Sequence, residues 1–147
     1  MTPARRRTSR SPNQRLWPPA RLIGEAEKAR RFSHSPYSGF AVGAALLGRD
    51  GRVTLGCNVE NASFGLSICA ERNAIWNAVS EGLRDFEAIA VSAGNRHGAS
   101  PCGACRQVLH EFAPDLWVIW RGPGGRILER RLSELLPFAF DFPGRSR

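Results

Sequence analysis

No run of apolar residues in the 147-residue sequence approaches the roughly 20 that a membrane-spanning helix needs. The basic N-terminus also lacks the apolar stretch that would make it a secretory signal. A cytoplasmic location with no membrane partner is therefore expected. Repetition at solenoid-like periods is absent, which excludes the repeat architectures. Nothing demands a second core, and a chain of this length is expected to fold as one domain without disulfides, burying about two-thirds of its unfolded surface. Cysteine is sparse, with four residues, Cys57, Cys69, Cys102 and Cys105. In an intracellular chain a Cys-x-x-Cys such as 102–105 is more often a metal or redox element than part of a disulfide framework.

Acidic residues are missing from the first 21 positions, which hold six arginines. The formal net charge of +8 is therefore unevenly placed. Removing those six, together with Arg145 and Arg147, from the 21 basic residues leaves 13 against 13 acidic residues. The core is neutral, so nucleic acid is not an expected partner of the core, although an Arg-rich arm could bind it. Pro3, Pro12, Pro18 and Pro19 break the amphipathic helix that an organelle transit peptide would need. Residues 1–18 are expected to form a disordered basic tail, residues 19–141 the domain, and residues 142–147 a short basic C-terminal tail.

Within the domain, Leu22, Ile23, Ala26 and Ala29 recur at helical spacing behind Pro19, which the first turn of a helix tolerates. Residues 40–47 form a nearly continuous apolar run, a buried strand, and Asp50-Gly51 supplies the hairpin turn to its partner over residues 53–59. A polar loop leads to Cys69, which begins a helix marked by Ala70, Ala74, Ile75 and Ala78 and ended by Gly82. A strand over residues 86–93 follows, then a helix opened by Pro101 and stopped by Pro114. Strands over residues 116–120 and 126–129 and a short helix over 133–136 complete the chain. This order implies an α/β fold with a mixed sheet and helices on its faces.

Three thiols and a carboxylate dominate the chemistry. A cysteine at a helix start is predisposed to ionise, because unpaired N–H groups and the helix dipole stabilise the anion. Cys69, Cys102 and Cys105 all fall at such starts, and three thiolates leave the fourth position of a tetrahedral Zn²⁺ open for water. Glu71 is then a candidate proton carrier, and Arg72 a positive charge able to offset the thiolates. Two alternatives stay open on spacing alone: a closed structural site completed by Cys57 or by His34, His97 or His110, and redox chemistry at the Cys-x-x-Cys.

The stretches Cys69-Ala70-Glu71-Arg72 and Pro101-Cys102-Gly103-Ala104-Cys105-Arg106-Gln107 closely resemble the small, homotetrameric, zinc-dependent cytidine deaminases. The resemblance extends through Pro36-Tyr37-Ser38-Gly39-Phe40, residues 42–47 and residues 56–63 to Leu135-Leu136-Pro137 and Phe140, covering about residues 20–140. It implies a three-layer α/β/α fold around a mixed five-stranded sheet, and one Zn²⁺ per chain held by Cys69, Cys102 and Cys105. The implied reaction is hydrolytic deamination of cytidine and deoxycytidine to uridine and deoxyuridine with release of ammonia, in pyrimidine salvage. Glu71 would carry a proton from the attacking water to N3 of the ring. Phe40, Asn58, Glu60 and Ala70 would contact the substrate, and Phe140 would be offered to a neighbouring subunit's site. Phe64 stands where many relatives carry tyrosine, and the Arg-rich tail lies outside the family pattern. A deaminase of nucleoside antibiotics such as blasticidin S, and a non-catalytic zinc-stabilised module that binds nucleic acid, are the competing readings.

Overall fold

The apolar spacing behind Pro19 becomes helix α1, Pro19–Arg30, in the computed structural model, which describes residues 15–95 and 97–144. Its buried side chains are the expected four, Leu22, Ile23, Ala26 and Ala29. Strands β1 (Val42–Gly48) and β2 (Val53–Cys57) form the hairpin, with Gly51 at φ 88° in the turn, where a side chain would be strained. Helix α2 (Ala70–Ser80), strand β3 (Phe86–Ala93), helix α3 (Gly103–Phe112), strands β4 (Trp117–Arg121) and β5 (Ile127–Arg131) and helix α4 (Leu132–Leu135) follow.

The five strands form one sheet in the order β2-β1-β3-β4-β5. Only β3 and β4 run parallel, and the other neighbours are antiparallel. The pleat divides the core between two faces. Ala44, Leu46, Ile89, Val91 and Val118 pack with α2 and α3, whereas Ala45, Leu47, Ala88, Ala90 and Ile119 pack with α1. The three-layer α/β/α arrangement around a mixed five-stranded sheet is thus present as expected. All of β1 is buried because both faces are covered and both edges are paired, which accounts for its unbroken apolar run.

Two features fix α2 against the edge strand β2. A Cβ on Gly56 would lie 2.4 Å from the Ala70 carbonyl oxygen and 2.4 Å from the Ala74 nitrogen, so only glycine permits this approach. Asn73 and Asn77, one turn apart on α2, donate side-chain hydrogen bonds to the carbonyls of Cys57 (3.0 Å) and Leu55 (3.3 Å). The start of α2, where Cys69 sits, is therefore held by backbone contact rather than by long side chains.

Element boundaries shift by a few residues from those expected. β2 ends at Cys57 rather than residue 59, because the Asn58 side chain bonds to the Phe40 carbonyl (2.8 Å) and the Val42 N–H (2.8 Å) where a ladder would continue. Val59 survives as an isolated bridge to Ile68 and His34. Of the tail expected over residues 1–18, residues 1–14 lie outside the described residues, as do residues 145–147. Residues 15–18 pack on the sheet: Arg15 pairs with Glu129 and lies over the Trp117 ring, and the Leu16 N–H donates to the buried Glu87 at 2.9 Å. Arg21 stacks on Trp17 at 3.5 Å. Two of the six N-terminal arginines thus belong to the packed domain. Among the described residues no helix is long and apolar enough to cross a membrane.

Candidate active site

Cys69 is the N-cap residue of α2 and Cys102 that of α3, both with extended backbone and neither using its side chain as a cap. Cys105 follows Cys102 by one turn and is fully buried, while Cys69 is half-buried and Cys102 exposed. The three sulfurs lie within 4.8 Å of one another, the one such metal-ligating group found among the described residues. Tetrahedral Zn²⁺ with bonds of about 2.3 Å needs sulfurs roughly 3.8 Å apart, and soft thiolate donors suit it, so the cluster fits the ion. Cys57 is not in the cluster; its thiol faces the Phe32 carbonyl at 3.4 Å, and burial raises its pKa. No histidine joins the sulfurs either, so the closed four-ligand site has no fourth member among the described residues.

The electrostatics favour negative charge at the sulfurs. Hydrogen bonding from the Cys105 thiol, and then the Arg72 guanidinium 3.2 Å from the sulfur, pull the Cys69 pKa down to about 5. The same sharing raises Cys105, helped by its burial. Arg72 is raised in turn by its bond to Cys69. Its Nε–H is buried without a partner among the described residues, so the guanidinium has donor capacity beyond its bond to Cys69. Glu71, only 5% exposed on the first turn of α2, has its carboxyl pushed up by burial and then by the Cys69 charge. A carboxyl held in that way exchanges a proton more readily near neutral pH.

A cavity of about 360 Å³ opens beside the sulfurs. Phe40, Asn58, Glu60, Ala70, Glu71 and Arg72 all line it, together with Cys69 and Cys102. Residues drawn from four separate stretches of sequence are therefore brought together around one cavity. Asn58 braces the cavity wall: its Oδ1 accepts from Val42 and from the Ser33 hydroxyl (2.6 Å), and its amide donates to Phe40. Glu60 accepts from the Tyr37 (2.9 Å) and Ser38 (3.2 Å) N–H groups and from the Ser38 hydroxyl, and chiefly that hydroxyl holds its carboxyl below the usual range. Both residues thus fix the loop carrying Phe40 while facing the cavity.

Phe140 does not enter this cavity. Its side chain is 68% exposed, and its backbone is held by Gln107, which donates to the Phe140 carbonyl at 2.8 Å and accepts from its N–H at 3.1 Å. Phe64 lines the mouth and meets Tyr37 edge to face at 5.6 Å.

Sequence reasoning assigned no role to Arg106, which the structure makes a brace. Its guanidinium donates to the Pro101 carbonyl (2.8 Å), the Leu135 carbonyl (2.8 Å) and the Ser100 hydroxyl (3.2 Å), tying the loop that carries Cys102 to the C-terminal segment. Its place directly after Cys105 was the available signal. Ser67, Ile68, Val91, Ala99 and Ser100 also line the cavity, and nothing in their local pattern marks them.

Residues 19–120 match the family described as the cytidine and deoxycytidylate deaminase zinc-binding region. The chain is 54% identical over 120 residues to the cytidine deaminase of Halalkalibacterium halodurans, covering 81% of this chain and 91% of that protein. The crystal structure of cytidine deaminase from Burkholderia pseudomallei superposes with a TM-score of 0.78 at 47% identity, covering 82% of this chain and 98% of that one. The blasticidin-S deaminase of Bacillus cereus is more distant, 31% identical over 110 residues, with 67% of this chain and 76% of that protein covered.

Proposed function

The chain belongs to the cytidine and deoxycytidylate deaminase family with its zinc-binding region, and on that premise we propose that it hydrolyses cytidine and deoxycytidine to uridine and deoxyuridine, releasing ammonia. The observation that carries the reading is the cluster of three sulfurs beside a buried carboxyl at the floor of a cavity of nucleoside size. Identity of 54% to a cytidine deaminase against 31% to a blasticidin-S deaminase favours the ordinary nucleoside.

In this reading Cys69, Cys102 and Cys105 hold the ion, and zinc bound there supplies Lewis acidity that lowers the pKa of a water to about 7. Arg72 and the N-termini of α2 and α3 stabilise the thiolates, whose three negative charges exceed the ion's two positive ones. Glu71 accepts a proton from the water and delivers it to N3 of the pyrimidine, and protons passing through its carboxyl leave with the amino group. The water oxygen replaces that group at C4. Burial suits Glu71 to this task, because it brings the carboxyl's pKa towards the operating pH. Phe40 and Val91 give the ring apolar walls, Ala70 offers its backbone at the start of α2, and Asn58 and Glu60 face the ribose hydroxyls.

Phe140, exposed and clamped at its backbone, is assigned to the cavity of a second subunit in a homotetramer with shared sites. The domain over residues 19–141 would then serve pyrimidine salvage in the cytoplasm. Incubating the purified protein with cytidine tests the reading, with equimolar uridine and ammonia expected. One tightly bound zinc per chain without turnover would overturn it in favour of a structural metal.

A further inference from the structure

A second cavity, of about 390 Å³, lies on the α1 side of the sheet at the same strand ends as the active site. Adjacent residues of β3 separate the two: Val91 lines the active-site cavity and Ser92 this one. Such crevices at the carboxyl ends of parallel strands are where α/β sheets commonly hold ligands. The resemblance to deaminases makes no use of it.

Its polar groups are biased towards positive charge. Arg30, on the last turn of α1, donates through one nitrogen to the Ser92 hydroxyl (3.0 Å) and the Ala93 carbonyl (2.9 Å). Both partners are neutral, and no carboxylate among the described residues pairs with it. Across the cavity Arg121 pairs with Glu27 at 3.3 Å and donates to the Gly125 carbonyl at 3.0 Å. Two guanidiniums against one carboxylate leave one uncompensated positive charge, held in place at Arg30. Asn95 and four glycines complete the wall: Gly98, Gly122, Gly124 and Gly125 border the space, with positive φ at 65°, 72° and 77° for Gly98, Gly124 and Gly125. At Gly124 and Gly125 nothing lies within 4 Å of where a Cβ would stand, so a ligand can reach their peptide groups as glycine turns approach phosphates, whereas the missing side chains of Gly98 and Gly122 make room for the Arg121 carbonyl and Leu128.

We propose that this cavity is a second binding site, for a phosphate group, with Arg30 as its principal ligand and Arg121, Asn95 and the glycine turn over residues 122–125 completing it. A fixed guanidinium with unused donors matches a phosphate in both charge and fork geometry. A bare phosphate fills only a small part of about 390 Å³, so there is room for the organic portion of a phosphomonoester.

Calorimetric titration of the zinc-loaded protein with inorganic phosphate and with ribose 5-phosphate, at constant ionic strength, tests the proposal. Saturable binding that is weakened about tenfold or more in Arg30→Gln, and restored in part by Arg30→Lys, is expected. Tighter binding of ribose 5-phosphate assigns the site to a phosphomonoester, and equal binding assigns it to the free anion. Absence of saturable binding, or binding unchanged in Arg30→Gln, overturns the proposal. Unchanged cytidine turnover by Arg30→Gln reports that the variant is folded. Should that variant not fold, hydrogen exchange of the wild type with ribose 5-phosphate decides. Slowed exchange over residues 92–95 and 122–125 is expected, and slowing confined to residues 58–60 would place the ligand in the active-site cavity and contradict the proposal.

Discussion

Replacing Arg72 should weaken zinc binding before it affects anything else. The guanidinium lies 3.2 Å from the Cys69 sulfur, and three thiolates around one divalent ion leave an excess negative charge nearby. Two unit charges about 4 Å apart interact by about 4 kcal/mol at an effective dielectric constant of 20. Arg72 is only half-buried, so solvent screens part of that, and a net value of about 1.5–3 kcal/mol for a charged hydrogen bond is the appropriate scale. At 1.4 kcal/mol per decade, Arg72→Ala should lower zinc affinity by about 10- to 150-fold, the range typical of partners that orient metal ligands. Competition against a chelator of known affinity at pH 7 measures this directly. Arg72→Gln, which keeps a hydrogen-bond donor without the charge, should fall between Arg72→Ala and the wild type. An Arg72→Ala affinity within about twofold of the wild type would refute the charge-compensation argument and leave Arg72 with a packing role.

Three further outcomes follow from the geometry. Gly56→Ala places a methyl group against the backbone of Ala70 and Ala74, so the protein should lose about 1–3 kcal/mol and melt several degrees lower, with weaker zinc binding because the start of α2 must shift. Thermal melting with and without zinc checks it. Cys57→Ser should retain one zinc per chain by elemental analysis, since that thiol lies outside the cluster; loss of the metal would reveal a fourth ligand. Phe140→Ala should raise KM for cytidine while the assembly, followed by sedimentation, stays intact; an unchanged KM would remove Phe140 from the substrate site.

The cluster of sulfurs beside Glu71 was legible because its chemistry is local. Cys69, Glu71 and Arg72 share one helix start, and Cys102 and Cys105 share another, so residue type and spacing mark the three thiols and the carboxylate, while leaving open Cys57 or a histidine as a fourth ligand and redox chemistry at the Cys-x-x-Cys. The strands were legible for a similar reason, since β1 and β3 are buried on both faces and read as unbroken apolar runs. Asn58 and Glu60 were different. Only resemblance marked them, because their bonds reach back to residues 33–42 and no periodicity encodes such contacts. The close approach at Gly56 was hidden for the same reason, as a glycine in a strand does not declare which backbone lies against it. Arg15 and Leu16 read as tail because their partners, Glu129 and Glu87, are over 70 positions away. The cavity at Arg30 was equally invisible: α1, β3 and the β4–β5 turn each supply a part, and no one stretch carries a motif.

The central claim is that Glu71 moves protons at a metal held by the three cysteines. It is tested most directly by measuring zinc content and cytidine turnover together on Glu71→Gln. Glutamine keeps the shape of the side chain but cannot carry the proton, so one zinc per chain with turnover reduced about 10²- to 10⁴-fold is predicted. Full activity with zinc retained would contradict the account.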